Sequence, residues 1–260
     1  CAATAEGEQE MAEQSGWKGR LANWSIRLTL VAIAVAALGL TLARYDVVPK
    51  LTGFLAFLVG GLLAAMALLL GIAALLIGRK QALLSRGKLL AAIAVSLVFT
   101  GFLASRPMAN GDVPAIHDIT TDLANPPQFE AIKVRKDNLA GVGTVENWQK
   151  LHSAAYGDLR PLEIARPVAQ VTADAVRLAQ EQGWQIVKSD PARGHVEATA
   201  SVSFIRFKDD VVLRIVPTQD GAGSRVDMRS ISRVGVSDLG VNAKRIRAFE
   251  KALSEASAAS

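Results

Sequence analysis

LTGFLAFLVGGLLAAMALLLGIAALLIG, residues 51–78, runs for 28 residues without a charge. A helix needs roughly 17 to 25 apolar residues, at about 1.5 Å each, to cross ~30 Å of hydrocarbon. The stretch therefore reads as a membrane span long enough to tilt or to extend into the interface. Two neighbouring runs read the same way: IRLTLVAIAVAALGLTLA at 26–43, and 87–104, which is apolar from Leu89 onward and stands at the short limit. Three buried helices of a large soluble protein would need amphipathic partner segments around them, and none surrounds these. Residues 26–104 are thus expected to form a three-span helical anchor, preceded by a tail at 1–25.

The composition agrees. Half of the 260 residues are hydrophobic, only 5% are aromatic, and the mean hydropathy is +0.26. The net charge of +5 would suit a nucleic-acid partner, but it is concentrated around the spans. Up to residue 104 there are nine Lys or Arg against five Asp or Glu; from 105 on there are 20 against 19. A nearly neutral remainder excludes an extended basic face, and no nucleic acid is expected as a partner. The single cysteine, Cys1, excludes a disulfide framework and a multi-thiolate metal centre.

Lys and Arg near span ends set orientation. Lys18, Arg20, Arg27, Arg79, Lys80, Arg86 and Lys88 fall on one side; Arg44, Lys50 and Arg106 fall on the other. The N-terminus is then cytoplasmic, and residues 105–260 lie on the periplasmic side of a bacterial inner membrane. A diacylated Cys1 would invert this, so the acidic, structureless-looking CAATAEGEQE is read as lying ahead of a start at Met11.

No ionisable residue interrupts the interior of any span; the polar ones are Thr29, Thr41, Ser96 and Thr100. That disfavours an ion or proton pathway through one chain. Gly53, Gly60, Ala67 and Ala74 form one row of small residues at seven-residue spacing, and Ala64, Gly71 and Gly78 form another. Such rows let helix backbones approach closely, either within this chain or against a partner helix.

Residues 105–165, broken by Pro107, Pro114, Pro126, Pro127 and Pro161, read as an extended wrapped segment anchored by Ile116, Ile119, Leu123, Phe129, Ile132, Val134 and Trp148. From 166 to 255 the rhythm is regular. Pro167 opens a helix with Val168, Val171, Ala175 and Leu178 on one stripe, stopped at Gly183. Strands follow at Trp184–Lys188, His195–Phe207, Val211–Val216 and Ser224–Ile231, with turns at 189–194, Lys208–Asp210 and 219–223. A last helix from about Leu239 carries Ile246, Phe249 and Leu253, with Ser237 or Asp238 as its cap, and 256–260 is a tail. The expected fold class is a three-span α-helical anchor plus a two-layer α+β domain: a four-stranded antiparallel sheet with helices on one face, in helix-grip-like order.

Several motifs are similar to a known family. PAIHDITTD at 114–122, NPPQF at 125–129, DDVVLRI at 209–215, and GSRVDMRSISRVG at 223–235 with SDLGVN ending at 242 resemble the bacterial and plastid domain of unknown function 1499. The resemblance covers roughly residues 112–254 and implies a membrane-associated envelope module without an assigned reaction.

Two constellations could carry chemistry. Alternation places Arg225, Asp227 and Arg229 on the polar face of their strand, together with Glu197, Thr199 and Arg214. These are either cross-strand ion pairs on a solvated or segment-covered face, or a site for an anionic lipid headgroup, cell-wall polymer or protein carboxylate. His117, Asp118, Thr120, Thr121 and Asp122 form either a docking segment or a weak divalent-metal or acid-base set. No nucleophile elbow, phosphate-binding loop or dinucleotide fingerprint is present, and GlyValGly at 141–143 lacks the third glycine. No cofactor and no metal is expected. The leading expectation is a non-enzymatic module that binds a membrane or envelope protein. A lipid or hydrophobic ligand held in the sheet groove comes next, and a metal-dependent or hydrolytic enzyme third.

Overall fold

The computed structural model describes residues 2–77, 86–110 and 113–258; Cys1, and Gly78, Arg79 and Lys80 after the second span, lie outside the described residues. The chain divides into two compact units, Cys1–Ala109 and Asn110–Ser260.

The first unit holds α1 (Ala2–Arg44), α2 (Lys50–Ile77) and α3 (Arg86–Asn110). Within them Gly19–Arg44, Lys50–Ile77 and Arg86–Arg106 are long and apolar enough to cross a membrane. Because α1 begins at Ala2, helical backbone runs through the stretch read as structureless. Its Ala, Glu and Gln residues are good helix formers, and the segment lacks only the apolar stripe that periodicity detects.

Small residues bring α1 and α2 together. A Cβ added at Gly60 would stand 2.7 Å from the Ala32 carbonyl oxygen, and one at Gly53 would stand 2.6 Å from that of Gly39. Ala67 is fully buried, and its carbonyl accepts the Ser25 hydroxyl at 2.8 Å. A Cβ at Gly71 would meet Ile93 of α3 at 2.6 Å. Thr29 and Ser96 share a hydrogen bond of 3.0 Å across α1 and α3, which satisfies two hydroxyls inside the apolar bundle. Between α1 and α2, Lys50 turns back to donate to the Ala43 carbonyl at 2.6 Å and pairs with Asp46 at 2.8 Å, complementing the C-terminal end of α1.

The second unit contains β1 (Asp118–Thr120), α4 (Val145–Tyr156), β2 (Leu162–Ile164), α5 (Val168–Glu181), β3 (Gln185–Asp190), β4 (His195–Val202), β5 (Phe207–Pro217), β6 (Ser224–Ser232) and α6 (Val241–Ala258). The strands form one antiparallel sheet in the order β1-β6-β5-β4-β3, with β2 also paired to β6. The sheet has six strands where the periodicity indicated four. The additional β1 and β2 are three residues each, too short for alternation to register, and both owe their extended form to the outer edge of β6.

Two further differences concern helix and turn. Residues 145–156, inside the segment read as extended, form α4, whose N-cap Thr144 hydroxyl accepts the Asn147 N–H at 3.2 Å. Its buried stripe is Trp148, His152 and Tyr156, with edge-on rings 5.8 and 5.6 Å apart, and the central histidine hides the stripe from a hydrophobicity count. The β4–β5 turn lies at Ser203–Arg206, with Ser203 and Arg206 both at positive φ, so Phe204 is 57% exposed and Lys208–Asp210 belong to β5. Asp209 and Asp210 sit inside a strand because Arg245 meets the first at 2.6 Å and Arg233 the second at 2.8 Å.

One sheet face is the core. Val196, Ala198, Ala200, Val211, Leu213, Ile215, Val226, Met228 and Ile119 pack with Val171, Ala175 and Leu178 of α5 and with Ile246, Phe249 and Leu253 of α6. Trp184 stacks on Phe249 at 4.9 Å. Asp238 caps α6, accepting the Gly240 and Asn242 N–H groups at 2.9 and 2.6 Å. The opposite, polar face is where most of the domain's ion pairs converge.

Candidate functional site

Strand register decides which side chains share the polar face. Glu197 is paired with Val212, Val212 with Arg229, Arg214 with Asp227, Val216 with Arg225, and Asp118 with Ile231. Because side chains alternate along each strand, Glu197, Arg214, Arg225, Asp227, Arg229 and Asp118 all project from one side. Residues 121–138, without regular secondary structure, provide partners to that side throughout.

Glu197 is the fastening point. Its side chain is entirely buried, and its carboxylate accepts the N–H groups of Glu130, Ala131 and Ile132 at 2.6, 2.9 and 2.7 Å. His195 Nε2 lies 2.8 Å from the same carboxylate. Burial pushes this acid upward, but the His195 bond and the three backbone donors outweigh it and hold its pKa below the ordinary carboxylate value. Beside it, Glu130 pairs with Arg193 at 2.7 Å and Lys188 at 2.5 Å, and these partners bring its carboxyl down to about 2.

The arginines are matched by carboxylates. Asp122 accepts from Arg214 and Arg225 at 3.0 Å each, while Asp227 accepts from the same two at 2.8 and 3.0 Å, closing a ring of two cations and two anions. Arg229 grips Asp118 through two bonds of 2.9 and 2.7 Å and donates a third, of 3.2 Å, to the Pro127 carbonyl. Each arginine of the set already has an internal carboxylate partner.

The His117 to Asp122 cluster disperses. His117 bonds Asn138 at 3.1 Å, and Asp118 goes to Arg229 and, at 2.6 Å, to the Asn138 amide. Thr121 exchanges hydrogen bonds with the Met228 backbone, which prolongs the β1–β6 pairing, and Asp122 joins the arginine ring. Among the described residues no group of three or more His, Cys, Asp or Glu side chains is placed to hold a metal ion. These bonds tie residues 117–122 to β6, Asn138 and the arginine ring, and residues 121–138 lie along the polar face as a strap.

His152 is not apparent in the sequence, and Trp148 stands there only as an apolar anchor. His152 is 1% exposed; its Nε2 accepts the Thr120 N–H at 3.1 Å, and burial brings its pKa down to about 4. Trp148 donates its indole N–H to the Asp118 carbonyl at 2.8 Å. Both lock β1 onto α4. Only the Thr144–Trp148–His152–Tyr156 spacing could have signalled them.

Glu250 on α6 has a carboxylate oxygen without a hydrogen-bond partner among the described residues. Burial, and secondarily the charge of Asp227, push its carboxyl up to about 7. The folded state then holds a proton that the unfolded chain releases above the ordinary value of 4.5, so stability falls as pH rises from there toward about 7. Glu250→Gln is expected to raise stability by on the order of 1 to 2 kcal/mol near neutral pH and to change little under acid conditions. Urea unfolding of the full chain in detergent at about pH 4 and about pH 8 would test this. Equal effects at both would contradict it.

Residues 118–253, over half of the chain, match the family described as Protein of unknown function (DUF1499). The chain belongs to that family. Comparison with curated proteins returned no match. The DUF1499 region opens at the first residue of β1 and ends within the last turns of α6, so it encloses the whole sheet, the strap and α4 and α5. The three apolar helices precede it.

Proposed function

We propose that this DUF1499 protein is a non-enzymatic protein of a bacterial cytoplasmic membrane whose α+β domain stands on the outer side as a binding module for a membrane or envelope protein. The observation that carries this reading is the use made of the polar face. Glu197, Arg214, Arg225, Asp227, Arg229, Asp118 and Asp122 are engaged with one another or with the strap, so they hold the fold and none is poised as a nucleophile, acid or base. Interaction is then left to the outer surface.

The orientation is supported by seven basic residues near span ends on one side against three on the other. Lys50, one of the three, is also paired with Asp46. A hydrophobic ligand on the core face would have to displace Ile246, Phe249 and Leu253, each fully buried there, which favours the protein-binding alternative.

Alkaline phosphatase fused after Ser260 is expected to be active in cells, and a fusion within residues 81–85 inactive. The reverse pattern would invert the topology. A photo-crosslinking residue at Val187 or Phe204, 45% and 57% exposed, is expected to give one discrete protein adduct in cells. Adducts to lipid alone would favour the ligand-binding reading, and no adduct at either position would count against a partner.

A further inference from the structure

A concavity of about 240 Å³ opens between the strap and the end of the β5–β6 pair, lined by Phe129, Lys133, Val134, Arg135, Asp210, Ile231, Ser232 and Arg233. Three of these side chains are cationic and one is anionic. Arg135 is held by Asp137 through bonds of 2.8 and 2.6 Å and donates to the Gly235 carbonyl at 2.6 Å. Arg233 is held by Asp210 through two bonds of 2.8 Å, which use its Nε and Nη2. Its Nη1 donates to nothing among the described residues, and its side chain is 48% exposed. Lys133, also exposed, has no hydrogen bond or ion pair among the described residues.

Arg135 and Arg233, like Arg214, Arg225 and Arg229, are each met by a carboxylate; what sets this place apart is Lys133, a cation without such a partner among the described residues. Here an ammonium and one guanidinium nitrogen remain uncommitted beside an apolar floor of Phe129 and Ile231. The guanidinium is fixed in place by Asp210, so little freedom is lost when it meets a ligand. Pockets for drug-sized ligands run from roughly 300 Å³ upward, so a concavity of about 240 Å³ suits a smaller group. Multidentate oxyanions are the usual partners of paired Lys and Arg donors.

We propose that this concavity binds a phosphate group of headgroup size, held by Lys133 and Arg233. The site is independent of the protein-binding role proposed above. The phosphate can come from a lipid headgroup or from a free phosphate or phosphomonoester, and the two sources are separable.

The full chain is placed in phosphatidylcholine nanodiscs and titrated calorimetrically with inorganic phosphate and with glycerol 3-phosphate. In parallel, native mass spectrometry from detergent counts phosphatidylglycerol retained against phosphatidylcholine. Saturable binding in the first arm identifies a free phosphate; selective retention in the second alone identifies a headgroup. In whichever arm binds, Lys133→Gln is expected to weaken binding about tenfold, the loss of one charge-assisted contact. Arg233→Gln is expected to do the same, and Lys251→Gln, on α6, to change nothing. Since Lys133 makes no internal bond, its variant keeps the fold and decides the matter even where Arg233→Gln unfolds. Absence of binding in both arms, or unchanged binding by Lys133→Gln, would overturn the proposal.

Discussion

Replacement of Glu197 by alanine is expected to remove about 3 to 5 kcal/mol of stability, the range for breaking a buried, charge-assisted network, out of the ~5 to 15 kcal/mol that a domain typically has. The loss has two parts. Three consecutive N–H groups of the strap, at Glu130, Ala131 and Ile132, lose their acceptor, and His195 loses its partner. Buried donors left without acceptors cost roughly 1 to 3 kcal/mol each unless water reaches them, so the strap is expected to lift and hydrate instead. The expected signature is a lowered urea midpoint together with new proteolytic cleavage within residues 121–138. Glu197→Gln keeps one acceptor oxygen but turns an NH₂ toward a backbone donor, and should fall between. The pH dependence has a definite sign. Because the folded pKa is lowered, the carboxylate's contribution is fully present above its ordinary value of 4.5 and is lost as pH falls through the lower folded value. The variants should therefore lose part of the acid sensitivity of the parent. A midpoint like the parent's in Glu197→Ala would mean that the strap is held elsewhere.

Gly194→Ala is expected to cost about 3 to 4 kcal/mol, from a backbone cause and a packing cause together. Gly194 has φ +64, which costs a residue with a Cβ roughly 1 to 2 kcal/mol. The added Cβ would also overlap the Ile215 carbonyl oxygen and stand 2.9 Å from a Val168 methyl. Backbone cannot swing aside as a side chain does. The Ile215 N–H to Gly194 carbonyl bond, 2.7 Å, holds β4 and β5 at this separation and would have to lengthen. Gly183 separates the two causes: it has φ +74 with open space around a Cβ, so Gly183→Ala should show the conformational part alone, about 1 to 2 kcal/mol. Equal losses in the two variants would show that the close approach at Gly194 contributes nothing.

How much was legible in the sequence follows from the range of the forces involved. The three apolar helices, α5, the central strands and the α6 stripe are local patterns, and alternation alone put Glu197, Arg214, Arg225, Asp227 and Arg229 on one face. The partners of that face are distant in the chain: Asp118 and Arg229 are 111 residues apart, and Glu197 is 67 from Glu130. No window of sequence connects them. Short β1 and β2 take their form from β6, and α4 hides its buried stripe behind a histidine, so segment 105–165 reads as extended and wrapped, without the strands and the helix that its partners in the fold give it. The acidic pair Asp209–Asp210 resembled a turn because Arg233 and Arg245, which neutralise it, lie downstream. Lys133 belongs to no motif and Arg233 stands near the end of the 223–235 motif, a hundred residues away, so only the folded chain brings them to one concavity.

The outer edge of β6 has a consequence for how the domain comes into being. That single edge receives both β1 and β2, and β6 follows both of them in the chain. Residues 113–165 therefore have no sheet to join while the polypeptide is still emerging. Their closure waits for Ser224–Ser232, about a hundred residues after β1 and about sixty after β2. A chain cut short ahead of β6 would carry a complete anchor and helices already written in its sequence, yet it would have nothing on which to close. The sheet's first strand is therefore expected to close only once β6 has been made.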